Sequence, residues 1–207
     1  METPRETMNP IHDLLKRRWS PRAFADRLVE HDKLRSLFEA ARWAPSAFNA
    51  QPWSFIVATK EDRNEYERLF DCLPAPNQRW AHFAPVLALA VTNLYVRDTE
   101  EPNRFAFHDL GLAVENLAIE ATALGLSCHQ AGGIDIKKAR NEFQIPPAYE
   151  PVDIIAIGYE GNPEELPDDL RQAELARRVR KPLHSFVFSV SWGLASPILA
   201  QSNDMRL

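Results

Sequence analysis

Two short basic stretches carry the side chains best suited to bind an anion. The stretches are KRRWSPR near the N-terminus and ARRVRKPL near the C-terminus. Their cations are Lys16, Arg17, Arg18 and Arg22 in the first stretch and Arg177, Arg178, Arg180 and Lys181 in the second. Guanidinium groups form forked, charge-assisted hydrogen bonds with phosphate oxygens. In a chain of net charge −5, two such clusters predict an anion bound where they meet. Two solvated helix faces would explain either cluster alone.

A third stretch, APSAFNAQPW, offers neutral hydrogen-bonding groups. It holds Ser46, Asn49 and Gln51 between the prolines Pro45 and Pro52. Proline neither continues a helix nor donates to a sheet ladder, so a rigid loop is predicted here. The pattern alone leaves open whether this loop is a connector or one wall of a binding site.

The sequence lacks the motifs of several other kinds of catalytic and binding site. The motifs GxSxG, HExxH, GxxxxGK[ST] and GxGxxG do not occur, and the chain has only seven glycines. A phosphate would therefore be held by arginines and not by a glycine loop. Cys72 and Cys128 lie far apart and are predicted to be ordinary thiols. The six histidines show no metal-ligand spacing, and the acidic net charge argues against a general nucleic-acid surface.

Hydrophobic periodicity predicts the elements that must position these groups. Helices are expected over 10–19 (with Asn9 as N-cap), 31–43, 61–70, 103–124 and 136–143. Strands are expected at WSFIVAT, APVLALAVTN, LSCHQ and PVDIIAIGY. Their alternation alone would suggest a doubly wound sheet. The apolar tail FVFSVSWG is expected to pair with a partner strand and to avoid water. Without a membrane-length apolar run or a signal-peptide pattern, a cytoplasmic location is expected.

Four blocks together resemble the FMN-dependent nitroreductase family. RRWSPRAF is similar to its N-terminal R-x-S-x-R-x-F signature, and APSAFNAQPWSFIV is similar to its proline-serine-asparagine-glutamine signature. The turn, helix and strand from GGID to AIGY resemble its third block, and RVRKPL followed by FVFSVSWG resembles its end. The blocks occur in the family's order and span most of the chain.

The resemblance implies a set of FMN-binding residues. Arg18, Ser20 and Arg22, with Trp19 contributing mainly its backbone, would hold the phosphate and ribityl chain. Arg178 and Arg180 would complete the phosphate site. Pro45, Ser46 and Asn49 would lie along the flavin, and Gln51 would contact the cofactor or brace the loop. The backbone of Gly132 and Gly133 would approach the redox edge of the ring.

The resemblance also implies fold, assembly and reaction. It implies an α+β, three-layer α/β/α sandwich with a mixed, largely antiparallel sheet. It further implies a homodimer in which residues 1–181 form the FMN-binding domain and 182–207 an arm packed on the partner subunit. Electrons would pass in ping-pong fashion from NADH or NADPH through FMN to a small organic acceptor, such as a nitroaromatic or a quinone. No metal and no catalytic side chain is required.

Some alternatives stay open at this stage. An FMN enzyme with dehalogenase-like or flavin-fragmenting chemistry, a non-catalytic flavin-binding protein, and a structural dimer that binds another anion would all fit. Ala47 stands where a second serine is common in the family, and the segment 93–104 is short for a substrate-selecting lid. Phe105, Phe107 and His108 could line a pocket, although core packing explains the two phenylalanines as well.

Overall fold

The computed structural model describes residues 7–96 and 99–200 of the 207-residue chain. Internal contacts divide the chain into a large unit that ends at Leu175 and a small unit that begins at Ala176. All regular strands and α-helices found in the described ranges belong to the large unit. Over those same ranges, no helix has both the length and the apolar composition needed to cross a bilayer.

The large unit is built on a four-stranded antiparallel sheet. The strands are β1 (Trp53–Thr59), β2 (Val86–Asn93), β3 (Ser127–Ala131) and β4 (Tyr149–Gly158). Their spatial order is β1-β2-β4-β3, so β1 and β3 form the two edges. The nearly continuous apolar run of β2 is buried on both faces because β2 is a central strand between two helical layers.

The described ranges also contain seven α-helices, five of which cover the two faces of this sheet. They are α1 (Asp13–Arg17), α2 (His31–Arg42), α3 (Arg63–Phe70), α4 (Ala75–Ala81), α5 (Ala106–Ala123), α6 (Ile136–Glu142) and α7 (Asp168–Leu175). Helices α2 and α5 enclose one apolar core with β2, β3 and β4. Helices α3, α4 and α6 enclose a second core against the opposite face. The predicted three-layer, largely antiparallel α+β sandwich is therefore confirmed, and a doubly wound parallel sheet is excluded.

Most predicted elements lie within a few residues of their observed bounds. Helix α5 ends as expected before Gly125, which adopts the positive φ of 73° typical of a helix C-terminus. Cys72 and Cys128 are buried free thiols. Helix α4 and helix α7 were not predicted, because their short polar sequences show no clear apolar stripe.

The prediction for the first helix was wrong in its bounds. Helix α1 has only five residues, and His12 rather than Asn9 caps it by accepting the Leu14 N–H at Nδ1, 3.2 Å away. Ile11 and Leu15 stay exposed. Without an apolar surface to bury them, a longer helix gains too little to offset its ordering cost.

The small unit, described over 176–200, contains no regular strand. Its predicted strand FVFSVSWG forms only a single antiparallel bridge between Phe188 and Ala195. The turn of this hairpin leaves Val190 99% and Trp192 94% exposed. The exchange of the tail with a partner subunit stays a prediction.

Candidate functional site

The loop before β1 has an unusual backbone. Phe48, Asn49 and Gln51 have φ values of 53°, 56° and 46°, in the left-handed region that side chains other than glycine rarely adopt. Phe48 is also 99% exposed, so apolar burial does not compensate for its conformation. Strained residues persist where surrounding bonds enforce them, and they concentrate at functional sites. The backbone conformation therefore makes this loop a candidate binding element.

Hydrogen bonds within the loop bring three predicted site residues together. The Ser46 hydroxyl oxygen accepts the Gln51 backbone N–H at 3.0 Å. The Gln51 side-chain amide donates to the Asn49 carbonyl at 3.3 Å. Pro45 leads into the loop from α2. These two bonds brace the loop through Gln51, and its role toward the cofactor stays a prediction.

A buried carboxylate that sequence reasoning missed ties this loop to helix α5. The Ala47 backbone N–H donates to Asp109 Oδ2 at 2.9 Å. His108 Nδ1 lies 2.9 Å from the other oxygen, Asp109 Oδ1. Asp109 is only 1% exposed. An acid in the first turn of α5, within the apolar stripe of that helix, was the signal that could have identified it.

The first basic stretch lies against β3. The Pro21 carbonyl accepts a hydrogen bond from His129 Nδ1 at 2.9 Å. Trp19 Nε1 donates to Glu160 at 2.6 Å, so its side chain anchors the segment. Arg18 Nη1 reaches Ser20 Oγ at 3.5 Å, which places two predicted phosphate ligands side by side.

His129 holds this segment as a neutral ring. It stacks on Trp80 with ring centroids 4.2 Å apart. Burial lowers the pKa of His129 to about 4, against the opposing effect of its bond to Pro21. The proton on Nδ1 is fixed by that bond, so the ring acts as a donor to the backbone of the basic stretch. Nothing in its sequence spacing distinguished it from the other histidines.

Helix α7 supplies a second missed carboxylate. Glu174 is 4% exposed and accepts the backbone N–H groups of Arg22 and Ala23. Burial raises the pKa of Glu174, and the two backbone donors oppose that shift. The basic stretch is therefore fixed at Pro21 by β3 and at the next two residues by α7.

The predicted glycine turn follows β3 directly. A Cβ on Gly132 would meet no heavy atom of the described residues within 4 Å. A Cβ on Gly133 would make only ordinary contacts with Asn77 and Pro74. Neither glycine has a positive φ. The fold of the chain thus does not require glycine at position 132, although a closely approaching ligand would.

An acid of β4 lies beside this turn. Asp153 precedes Ile154, the β4 residue paired with Ala131 at the end of β3. Its Oδ1 is buried without a hydrogen-bond partner among the described residues. Burial raises the pKa of Asp153 to about 6.

The predicted site residues of the large unit form two separate groups. Arg18–Arg22 and Gly132–Gly133 lie along and beyond edge strand β3. The loop 45–51 leads into β1 at the opposite edge. Three strand spacings separate those edges, a distance of roughly 14 Å. Arg178 and Arg180 belong to the small unit, and their contribution to either group stays a prediction.

A polar cavity at the base of the loop was not predicted. It has a volume of about 320 Å³. Its walls carry amide and hydroxyl side chains and no charged group; they are formed by Ala50, Gln51, Pro52, Trp53, Ser54, Asn93, Tyr95 and Tyr149. The cavity extends the loop surface toward the start of the short 93–104 segment.

Comparison with known proteins agrees with this architecture. The model of the Nitroreductase family matches residues 15–159. A protein of Methanothermobacter thermautotrophicus named "Putative NADH dehydrogenase/NAD(P)H nitroreductase" is 28% identical over 153 residues, covering 72% of this chain and 76% of its own. The match to the family model extends over more than half of the chain. The chain therefore belongs to the Nitroreductase family, a class of oxidoreductase enzymes.

Solved structures extend the likeness to nearly the whole chain. A crystal structure described as an oxidoreductase containing FMN superposes with a TM-score of 0.87 at 32% identity, covering 93% of this chain and 98% of its own. A nitroreductase family protein from Clostridium difficile superposes with a TM-score of 0.68 at 26% identity, covering 86% and 96%.

Proposed function

We propose that this protein is an FMN-dependent oxidoreductase that passes electrons from NADH or NADPH to a small organic acceptor such as a nitroaromatic or a quinone. The observation that carries the proposal is its likeness to an FMN-containing oxidoreductase over 93% of the chain. The proposed setting is the cytoplasm, where both nicotinamides are available.

The residues of the β3 side suit a flavin mononucleotide. Arg18 and Arg22 offer guanidinium groups, and Ser20 adds a hydroxyl beside Arg18. Hydrogen bonds to a charged phosphate contribute about 1.5–3 kcal/mol each, so a few of them anchor the group firmly. Gly132 leaves open the space that a Cβ would occupy. We assign the phosphate to the arginines and the ring edge to the glycine turn.

The protein's own task is binding and orientation. The chemistry that FMN supplies when bound is electron transfer between nicotinamide and acceptor in alternating, ping-pong half-reactions. Glu174 and His129 hold the basic stretch by its backbone, and we assign phosphate binding to the side chains of Arg18 and Arg22. The bonds of Ser46 and Gln51 keep the opposite loop rigid.

The proposed assembly is a homodimer with flavin sites shared between subunits. Within one chain the loop 45–51 and the β3 group lie at opposite sheet edges. A second copy would bring its loop to the first copy's β3 group and complete each site. The exposed tail with Val190 and Trp192 would pack on the partner. Removal of 182–207 should then give a monomer in sedimentation analysis, with flavin lost; a truncated dimer that keeps its flavin would oppose this assignment.

Spectroscopy of the purified protein tests the function directly. Bound flavin should give an absorption band in the blue, and anaerobic NADH or NADPH should bleach it. Bleaching by neither nicotinamide would instead indicate a flavin-binding protein without this activity. A panel of quinone, nitroaromatic and halogenated acceptors, each mixed with the reduced protein, then identifies the acceptor class.

A double variant tests the phosphate site. Arg18→Ala with Arg178→Ala should weaken FMN binding by about a hundredfold or more, since each of the two guanidiniums lost removes a charged hydrogen bond worth about 1.5–3 kcal/mol. Equilibrium dialysis of FMN measures the change. The control, Arg35→Ala with Arg63→Ala, removes two exposed arginines. Each forms an ion pair within its own helix, Arg35 with Asp32 in α2 and Arg63 with Glu67 in α3. Full flavin occupancy in the first double variant would refute the phosphate assignment.

A further inference from the structure

Asp109 holds the strained loop from outside the loop itself. Its Oδ2 accepts the N–H of Ala47, the residue just before the left-handed pair Phe48 and Asn49. The other bonds near this point, such as that from Asn49 N–H to the Ser46 carbonyl, stay within the loop. Asp109 thus sets the position of the loop relative to helix α5.

Both side-chain oxygens of the buried Asp109 have a partner. The carboxylate is 1% exposed, and both oxygens are paired, one with Ala47 and one with His108. It lies in the first turn of α5, where the helix dipole favours an anion. His108 is mostly exposed, so this pair extends from the buried carboxylate to the surface beside the loop.

We infer that Asp109 is the positioning residue that pre-forms the loop 46–51 for the flavin, acting through the Ala47 N–H with His108 as its outer partner. This inference rests on the proposed function, because the benefit of a pre-formed loop is flavin binding. A loop already held in its bound conformation pays no ordering cost when the ligand arrives. The strain at Phe48 and Asn49 is then offset by bonds that exist before binding.

Two substitutions at position 109 separate the hydrogen bond from the charge. Asp109→Ala removes the acceptor, whereas Asp109→Asn keeps an oxygen for Ala47 and an amide that can donate to His108. In the unliganded protein, amide hydrogen exchange at Ala47 should speed up by roughly tenfold to a hundredfold in Asp109→Ala, as expected for the loss of one bond to a charged group. In Asp109→Asn the exchange rate at Ala47 should stay within about threefold of wild type. A change of that size corresponds to a fraction of the free energy of one hydrogen bond.

A third variant tests the same bond from the loop. Ala47→Pro deletes the N–H donor and leaves Asp109 in place. Ser46 already has the extended backbone, φ −144° and ψ 152°, that a following proline requires. If the bond is the cause, Ala47→Pro and Asp109→Ala weaken FMN binding to a similar extent. The double variant then binds FMN as tightly as the weaker-binding of the two single variants. Additive losses would overturn the inference.

FMN affinity and flavin circular dichroism complete the experiment. Asp109→Ala should weaken FMN and change the visible dichroism of what remains bound, with recovery in Asp109→Asn. Glu115→Gln, an exposed acid on the same helix, is the control and should change neither. If wild type takes up no FMN, the proposed function fails. Amide exchange at Ala47 then still tests whether Asp109 holds the loop. A folded Asp109→Ala protein with wild-type exchange and wild-type affinity would refute it.

Discussion

The Glu174 carboxylate accepts the Arg22 backbone N–H with both of its oxygens, each at 2.9 Å. The same carboxylate accepts the N–H of Ala23 at 3.1 Å. It thereby joins the last turn of α7 to the basic stretch, about 150 residues away in sequence. Because these donors bond to a side chain instead of to a sheet, the conformation of the basic stretch depends on α7.

Loss of this carboxylate should destabilise the fold. Glu174→Ala leaves the Arg22 and Ala23 donors unsatisfied, at a cost of about 2 kcal/mol or more in the free energy of unfolding. Urea denaturation measures the loss. Glu165→Ala, an exposed acid just before α7, is the matched control and should stay within about 0.5 kcal/mol of wild type. Equal effects of the two variants would mean that the Glu174 bonds contribute nothing specific.

Gly132 should separate ligand binding from stability. Gly132→Ala places its Cβ in open space at an ordinary φ, so the unliganded protein should unfold at the same urea concentration as wild type. FMN binding should weaken by at least tenfold, since the Cβ would occupy the space assigned to the ring edge. Gly111→Ala on α5, also in open space, should leave FMN affinity unchanged. Wild-type FMN affinity in Gly132→Ala would mean that the flavin ring does not lie against this glycine.

Protonation of His129, taken by itself, should lower the stability of the fold in acid. Its pKa is about 4 in the folded chain and about 6.5 when unfolded, so the unfolded state binds the proton first. The stability it contributes is complete above pH 6.5 and is lost as the pH falls toward 4, by about 3 kcal/mol. His129→Asn, whose amide can still donate to Pro21, should remove this loss. Urea titrations at pH 7 and pH 4.5 measure it; an unchanged difference between the two pH values would contradict the assignment.

Asp153 should change the stability of the fold in the opposite direction to His129, over nearly the same pH range. Its folded pKa of about 6 exceeds the unfolded value near 3.9, so the native state holds the extra proton. Its contribution is present below pH 3.9 and is lost as the pH rises through 6, by about 3 kcal/mol. Asp153→Asn should therefore gain stability at pH 8 and little at pH 4. No gain at pH 8 relative to a Glu165→Gln control would contradict this.

These two groups should cancel in wild type. Between pH 4 and 6 the folded chain carries the proton on Asp153, and the unfolded chain carries it on His129. Their joint effect on the pH dependence of unfolding is therefore near zero, and only the single variants reveal each group. The double variant His129→Asn with Asp153→Asn should again show the shallow profile of wild type.

Local pattern was sufficient for much of this fold. The apolar periodicity of α2 and α5 and the continuous run of β2 each reflect burial along a single element, which sequence order displays directly. The proline-bounded loop and the basic stretch were likewise visible as local composition. Antiparallel pairing was expected only through the family resemblance, because element alternation by itself favoured the wrong topology.

The sequence by itself determined which side chains are available: the arginines, the loop amides and the glycine turn. Only the tertiary structure decided which of them meet. Asp109 reaches Ala47 across 62 positions, and Glu174 reaches Arg22 across 152. Such contacts depend on how helices dock on the sheet, which no local periodicity encodes. The strand order β1-β2-β4-β3 likewise separates the loop from the β3 group, because sheet position is set by long-range pairing and not by order along the chain.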